Sequence, residues 1–370
     1  MEKKLRSGYT TGACAAAGVK AALLYEAGES WQVVELTALD GTQLTIPIKG
    51  VQETDGGLLA EVVKFSGDDP DITNGVSVFT LTRHLTGQKP ALVFKAGQGI
   101  GTVTKPGLSV PVGEPSINPG PRQLIRNVVS EVLGREDVPL EVTISIPAGV
   151  ELAKQTLNPI LGVEGGLSVI GTTGVLRPMS EEGFKNSLVP QIDVAKAAGF
   201  RELIFVPGKI GERIATAWKL PRAAMVQTSN FIGFMLDAAA ERQVEKVLLF
   251  GHIGKLSKVA AGVFYTHNRI ADGRLETMAA YAAAAGLSQE KVQQLLAANT
   301  TEDALVVLEQ AGLKERVCRT LAKRASARAE RYLFGKMKVG TVMVTLQGKL
   351  LGMDDTAREI GEAFGWNIPE

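Results

Sequence analysis

The sequence predicts a two-domain chain: an N-terminal α+β domain with a mixed or antiparallel sheet, then an α/β domain with a mainly parallel sheet and an α-helical C-terminal part. Three observations predict it. The 370 residues exceed what one hydrophobic core usually serves, because cores stop growing at roughly 250–300 residues. The N-terminal part alternates polar and apolar residues in successive short segments, as half-buried strands do. The middle repeats a plan of short apolar run, glycine-rich turn and helical pattern, which is the signature of strands alternating with helices in a parallel sheet.

In chain order, Thr10-Thr11-Gly12 precedes an alanine-rich helix that Gly28 can end. Either threonine can cap it, and its N-terminus offers N–H groups to an anion, which makes Thr10 and Thr11 candidate substrate contacts. Cys14 on that helix has two readings, a thiol activated by the helix N-terminus or a small buried residue, and the second is favoured because no histidine lies nearby in sequence. WQVVELTAL and TQLTIPI meet at Asp40-Gly41, a dipeptide suited to a two-residue hairpin turn. Further strands are expected at Leu58 to Phe65, Val76 to Thr82 and Ala91 to Phe94. Asp68, Asp69 and Asp71 between them could hold a hard cation, but lack the order of a calcium loop, so a solvated turn is expected.

Gly97-Gln98-Gly99-Ile100-Gly101 follows a strand but opens no helix, so a turn or bulge is preferred to a dinucleotide loop. A long loop then leads to a helix from Arg122 to Leu133, with Pro121 well placed to open it. Arg122 and Arg126, one helical turn apart, and Lys105 in the preceding TKPG turn are candidate carboxylate contacts; an ordinary solvated face is the competing reading for the arginines. The domain boundary is expected at 140, giving domains 1–140 and 141–370, the second including a helical segment 275–334 and a returning strand 338–346.

The centre of the chain is TLNPILGVEGGLSVIGTTGVLRPMS, where a strand Leu167 to Ile170 runs into Gly171, Thr172, Thr173 and Gly174. Two later runs repeat it: Leu203 to Val206 before Pro207-Gly208-Lys209-Ile210-Gly211, and Val247 to Phe250 before Gly251, His252, Ile253, Gly254 and Lys255. Ligands of parallel sheets bind beyond the carboxyl ends of the strands. The Gly171–Gly174 and Gly251–Lys255 loops are therefore the candidate cofactor site. Glu181 to Gly199 reads as one amphipathic helix, and Ser229 or Asn230 as the cap of the helix after the strand Ala223 to Val226. His267, Asp272 and Arg274 gather in one further loop and complete the substrate candidates. Thr300 to Asp303 offers a capping box, and a last helix is expected from Asp355 to Phe364.

Forty basic residues against 39 acidic ones give no general attraction to nucleic acid. Two cysteines and three scattered histidines support neither a disulfide framework nor a protein-bound metal. The start lacks the apolar core of a signal peptide and no run spans a membrane, so a cytoplasmic protein is expected.

Several irregular motifs occur in order: GYTTGACAAA, DDPDITNG, GQGIGTVTKPGL, INPGPR, TLNP, GGLSVIGTTG with PMS, SNFIGFMLD, GHIGKLSKVAAG, and TH with ADGR. In these the chain closely resembles the CbiD family of cobalamin biosynthesis, the cobalt-precorrin-5B C1-methyltransferases of the anaerobic route. The match is weaker beyond Arg274. The resemblance implies S-adenosyl-L-methionine as methyl donor, a cobalt-bearing, carboxylate-rich corrinoid as acceptor and cobalt-precorrin-6A as product. It carries over no catalytic residue. Neighbouring pathway enzymes that hand over the substrate, and a homo-oligomer, are further expectations. The competing readings are an enzyme binding a phosphate-bearing nucleotide at the same strand ends, and a non-catalytic tetrapyrrole-binding protein.

Overall fold

A computed structural model describes residues 5–86, 92–135 and 138–366. The chain divides into two compact units, Met1–Glu181 and Glu182–Glu370. Ala91, which the sequence places at the start of a strand, lies outside the described residues.

The first unit is built on a helix, α1 (Thr11–Glu26), whose residues are buried from Thr11 to Val19 without a break. Thr10 caps it, its hydroxyl accepting from the Ala13 N–H at 3.2 Å. A helix apolar on all sides must be covered on all sides, and α1 lies against both a sheet and a second helix. The sheet contains β1 (Gly50–Thr54), β2 (Gly57–Val63), β3 (Ser77–His84), β4 (Leu92–Ala96) and, after the helix α2 (Pro119–Leu133), β5 (Leu140–Ser145). Its order is β1-β2-β3-β5-β4; all pairs are antiparallel except β4 with β5. The strand at 140, expected to open the second domain, thus sits inside the first sheet. A separate hairpin pairs Val33–Thr37 with Gln43–Pro47. Its turn is longer than the expected two residues: Ala38 and Thr42 close it by an N–H to carbonyl bond of 2.8 Å, and Gly41 takes φ +84°.

Small residues set the spacing here. A Cβ on Gly18 would lie 2.3 Å from the Thr80 hydroxyl of β3, and one on Gly12 would lie 2.5 Å from the Pro121 ring at the start of α2. The GQGIG segment works the same way. A Cβ on Gly99 would meet the Ile146 carbonyl at 1.9 Å, and one on Gly166 the Gly99 carbonyl at 2.1 Å, so these glycines mark close backbone approach, as the turn-or-bulge reading holds. The expected strand Leu167 to Ile170 makes only single bridges, Ile100 with Leu167 and Ile117 with Val169.

The acidic turn after β2 divides its carboxylates among separate partners. Asp68 takes Arg6, Asp69 accepts from the Met179 N–H, and Asp71 pairs with Lys64 at 2.6 Å. Lys64 is buried beneath it and also donates to Ser66 at 2.7 Å. Burial alone would push the Asp71 carboxyl up, but hydrogen bonds from Lys64 and Thr73 hold it below the ordinary carboxylate range.

In the second unit, β6 (Glu202–Val206), β7 (Met225–Gln227), β8 (Lys246–His252) and β9 (Lys338–Val344) run parallel, and β10 (Leu350–Met353) is antiparallel. The order is β7-β6-β8-β9-β10. LIFV and VLLF are buried throughout, as strands covered on both faces must be. The connecting helices are α3 (Lys209–Ala217) after β6, α4 (Ile232–Glu241) after β7 and α5 (Ile253–Ala260) after β8. The helical segment follows as α6 (Arg274–Ala284), α7 (Gln289–Leu296), α8 (Thr301–Gln310) and α9 (Lys314–Tyr332), and the capping box at Thr300 and Asp303 is formed. The last helix, α10 (Asp355–Ala363), is as expected. The single helix expected over 181–199 is two, Glu181–Leu188 and Pro190–Ala197, broken where Pro190 lacks an N–H to donate. Neither Ser229 nor Asn230 caps α4; its cap position is Phe231, and Ser229 sits at φ +52°.

Substitution Gly18→Val is expected to lower unfolding stability by about 1–3 kcal/mol through overpacking against Thr80. Urea unfolding followed by circular dichroism checks this; an unchanged midpoint would mean that α1 and β3 do not meet through this glycine.

Candidate functional site

The residues expected to form one cofactor site fall in different units, Gly171–Gly174 in the first and Gly251–Lys255 in the second. The first loop lies over the start of α1. The Ile170 carbonyl accepts from the Gly12 N–H at 3.0 Å, the Gly174 carbonyl from Thr10 at 2.9 Å, and the Thr173 carbonyl from Leu39 at 2.8 Å. The Thr11 hydroxyl receives the Ile170 N–H at 3.0 Å. Thr10 and Thr11, both buried, therefore meet a loop of their own chain, and the expected anion site at this helix start is filled by Ile170 and the Thr10 hydroxyl. Thr172 is exposed, and the Thr173 hydroxyl accepts from Val175. Gly171 has φ +144°, and a Cβ there would lie 2.2 Å from the Thr10 hydroxyl. Its glycine is required by packing.

The arginines of α2 face a cavity of about 490 Å³ whose lining includes Phe94, Lys95, Glu114, Arg122 and Arg126. Both guanidinium groups lie over one ring, Phe94, at 5.3 Å from its centre for Arg122 and 5.7 Å for Arg126. They differ in what else they meet. Arg122 donates to the carbonyls of Ile117 and Pro115, at 2.8 and 3.3 Å, and pairs with Glu114 at 3.2 Å. Arg126 has no carbonyl or carboxylate partner among the described residues, nor does Lys95 on β4. Lys105 lies elsewhere, along Ile160 to Gly162.

In the second unit, the strand order places a switch point between β6 and β8, where successive connections leave in opposite directions along the sheet, the place at which ligands of such sheets bind. The turns that flank it are Pro207–Gly211 and Gly251–Lys255. They touch: a Cβ on Gly251 would lie 3.0 Å from the Pro207 ring, and one on Gly211 would lie 3.1 Å from the Phe250 carbonyl. Gly208, at φ +114°, has the Lys255 amine 3.7 Å from where its Cβ would stand. Lys255 donates to the Ser229 carbonyl at 3.3 Å and has no carboxylate partner among the described residues. Burial, reinforced by the nearby Lys258, holds its pKa below the ordinary lysine value of 10.5. Beyond β7, Thr228 is fully buried with a hydroxyl that finds no partner among the described residues.

His252 differs from expectation. Its Nδ1 accepts from the Gly254 N–H at 3.1 Å, so Nε2 carries the proton and donates to Glu302 at 3.0 Å. Glu302 also accepts from the Leu346 N–H at 2.9 Å. With both ring nitrogens engaged, His252 ties the ends of β8 and β9 to the first turn of α8. The 266–274 loop is anchored by Lys258, whose buried amine donates to Thr266, Asn268 and Ala271 at 3.1, 2.6 and 2.9 Å. Asp272 and Arg274 engage each other through two bonds of 2.7 Å, so the fork of Arg274 is occupied. The His267 Nδ1 accepts from the Arg269 N–H at 3.2 Å on the surface. The switch-point members Gly208, Thr228 and Ser229 and the cavity members Phe94 and Lys95 were not among the sequence candidates. The PGKIG turn after a buried strand was a usable signal for the first group; nothing local marks Lys95.

Among the described residues no helix is long and apolar enough to cross a membrane, and no group of three or more His, Cys, Asp or Glu is placed to hold a metal. A family model described as CbiD matches residues 1–178, and one described as CbiD, C-terminal domain, matches residues 265–355. A protein of Moorella thermoacetica named cobalt-precorrin-5B C(1)-methyltransferase is 49% identical over 99% of this chain and 100% of its own. The chain belongs to the CbiD family. A relative of the same name from Methanocaldococcus jannaschii is 46% identical over 95% of this chain and 96% of its own. A crystal structure described as a cobalamin biosynthesis protein (cbiD) from Archaeoglobus fulgidus is 26% identical, covers 70% of this chain and 80% of its own, and has a TM-score of 0.39. For this CbiD family member, then, the likeness extends into the last quarter, past Arg274 where the motifs thin out.

Lys255 gives a test with opposite signs. Because its folded pKa lies below 10.5, stability rises with pH between the folded and unfolded values, and below both the buried charge is a standing cost. Lys255→Met is therefore expected to melt higher than the parent at pH 7, with the gap narrowing as pH rises toward 10.5. A lower melting temperature at pH 7 would show that the ammonium supports the fold.

Proposed function

We infer that the protein is a cobalt-precorrin-5B C1-methyltransferase, which transfers a methyl group from S-adenosyl-L-methionine to C1 of the cobalt-precorrin-5B macrocycle to give cobalt-precorrin-6A. The observation that carries this is the end-to-end likeness to the Moorella thermoacetica relative of that name, at 49% identity. The donor is assigned to the switch point of the second unit. In support, Gly208 in the turn beyond β6 offers backbone without a side chain, and the Lys255 ammonium beside it has no carboxylate partner among the described residues. A ligand with a carboxylate and a flat edge would meet both.

S-adenosyl-L-methionine supplies a methyl carbon already activated by a sulfonium, which a ring carbon can displace in line. The chain then has to bind, orient and exclude water. A protein nucleophile is not needed, and the cysteines fit that view. Burial pushes both the Cys14 and the Cys318 thiols up to about 12, so neither is a thiolate at neutral pH. Lys255 holds the donor's carboxylate in this reading, and the Gly208 backbone passes against a flat part of it.

Incubation with S-adenosyl-L-methionine and cobalt-precorrin-5B should add one methyl group by mass, and Cys14→Ala should retain turnover. In thermal-shift screening, S-adenosylhomocysteine at 100 times its dissociation constant should add about 2.7 kcal/mol of stability, with ATP and NAD giving none. Stabilisation by ATP or NAD and not by S-adenosylhomocysteine would favour a nucleotide enzyme; donor binding without methyl transfer would reject the methyltransferase reading.

A further inference from the structure

The cavity of about 490 Å³ in the first unit has the size of a ligand pocket and a cation arrangement that folding alone does not use. Lys95, Arg122 and Arg126 line it with a single carboxylate, Glu114, and Glu114 is engaged by Arg122. The remaining two cations have no anionic partner among the described residues. Phe94 explains how Arg126 is held without one. A guanidinium held over a ring by cation–π attraction does not spend its N–H donors on a carboxylate of the chain. The other side of Phe94's strand is also informative. β4 ends the sheet order, so among the described residues one edge of it has no strand partner and its backbone groups there can meet a ligand.

We propose that this cavity is a polycarboxylate site, in which Arg126 and Lys95 receive carboxylate arms of the tetrapyrrole acceptor while Arg122 is a positioning residue. The identity of the carboxylate bearer rests on the proposed function; the class of ligand rests on the cavity. Arg122 fixes the loop 114–117 through the Ile117 and Pro115 carbonyls, which forms one wall. Arg126, one turn further along α2, keeps its fork for two parallel bonds to a carboxylate. A cavity of this volume takes the carboxylate-bearing edge of a macrocycle and not the whole ring.

The test is calorimetric titration of cobyrinic acid, a cobalt corrinoid with free carboxylates, and of its methyl ester into the full chain. The acid should bind, more weakly as salt is raised, and the ester at least tenfold more weakly. Arg126→Gln and Lys95→Gln should each weaken the acid about tenfold or more, the scale of a hydrogen bond to a charged group, with melting temperature unchanged. Arg122→Gln should instead lower the melting temperature. Parent-like binding of the acid by both Arg126→Gln and Lys95→Gln, or equal binding of acid and ester by the parent, overturns the site. Methyl turnover measured on the same proteins separates the two readings. A parent that binds the acid through Arg126 but transfers no methyl keeps the site and rejects the methyltransferase. Undiminished turnover in the variant that combines Arg126→Gln and Lys95→Gln rejects the site and keeps the methyltransferase.

Discussion

Close contacts that only residues without a side chain permit hold the first unit together. α1 can sit between the sheet and α2 only because Gly18 faces Thr80 and Gly12 faces Pro121, at distances no Cβ could share. The position of α2 follows from that contact, and with it the reach of Arg122 and Arg126 toward Phe94 on β4. The 170–174 loop is clamped by the same helix start, through bonds from Thr10 and Gly12 to its carbonyls. A bulkier α1 would shift the loop, α2 and the cavity together.

Charge is distributed by a similar logic. A chain with a formal charge of +1 draws no anion over long range, so any affinity for an acidic ligand must come from cations that the fold leaves unpaired. Most are paired or anchored. Lys64 is buried against Asp71, Arg274 is locked to Asp272, and Arg122 is held by two carbonyls and Glu114. Arg126 and Lys95, which line the cavity, and Lys255 at the switch point have no carboxylate partner among the described residues. Leaving a half-buried lysine without a carboxylate costs stability, and in the reading proposed above the bound donor relieves that cost.

What the sequence made legible was local. LIFV and VLLF are apolar throughout and became strands covered on both faces; the capping box at Thr300 needed only residues three apart. Pairing is not local. LEVTIS was placed with the second sheet because it precedes the glycine-rich centre, yet its burial alternates strictly, the pattern of a strand with one solvated face, and it belongs with the half-buried strands of the first sheet. That alternation was available in the sequence and outweighed by proximity. GLSVI failed for a different reason: contacts of the Gly99 and Gly166 backbones leave it single bridges instead of a ladder. The site was legible as a set of loops and not as partnerships. Arg122 and Arg126 are the same residue type on the same helix, and only the path of the loop 114–117 decides which one is already occupied.

The two lysines of α5 show the same point at the level of a single turn. Lys255 and Lys258 lie three residues apart, and burial lowers the pKa of both. Lys258 has exchanged its water for three oxygens within 3.1 Å, which satisfies the three donors of an ammonium and makes it a fixed pin for the 266–272 loop. Among the described residues Lys255 has one oxygen, at 3.3 Å, which leaves two of its donors to be met. Its ammonium stands beside Gly208, where successive strands leave the sheet in opposite directions. Desolvation without compensation is unfavourable in the free protein and favourable for catalysis only if a ligand completes the hydrogen bonds. Of the two, Lys255 is the one that the donor proposed above would complete from outside the chain.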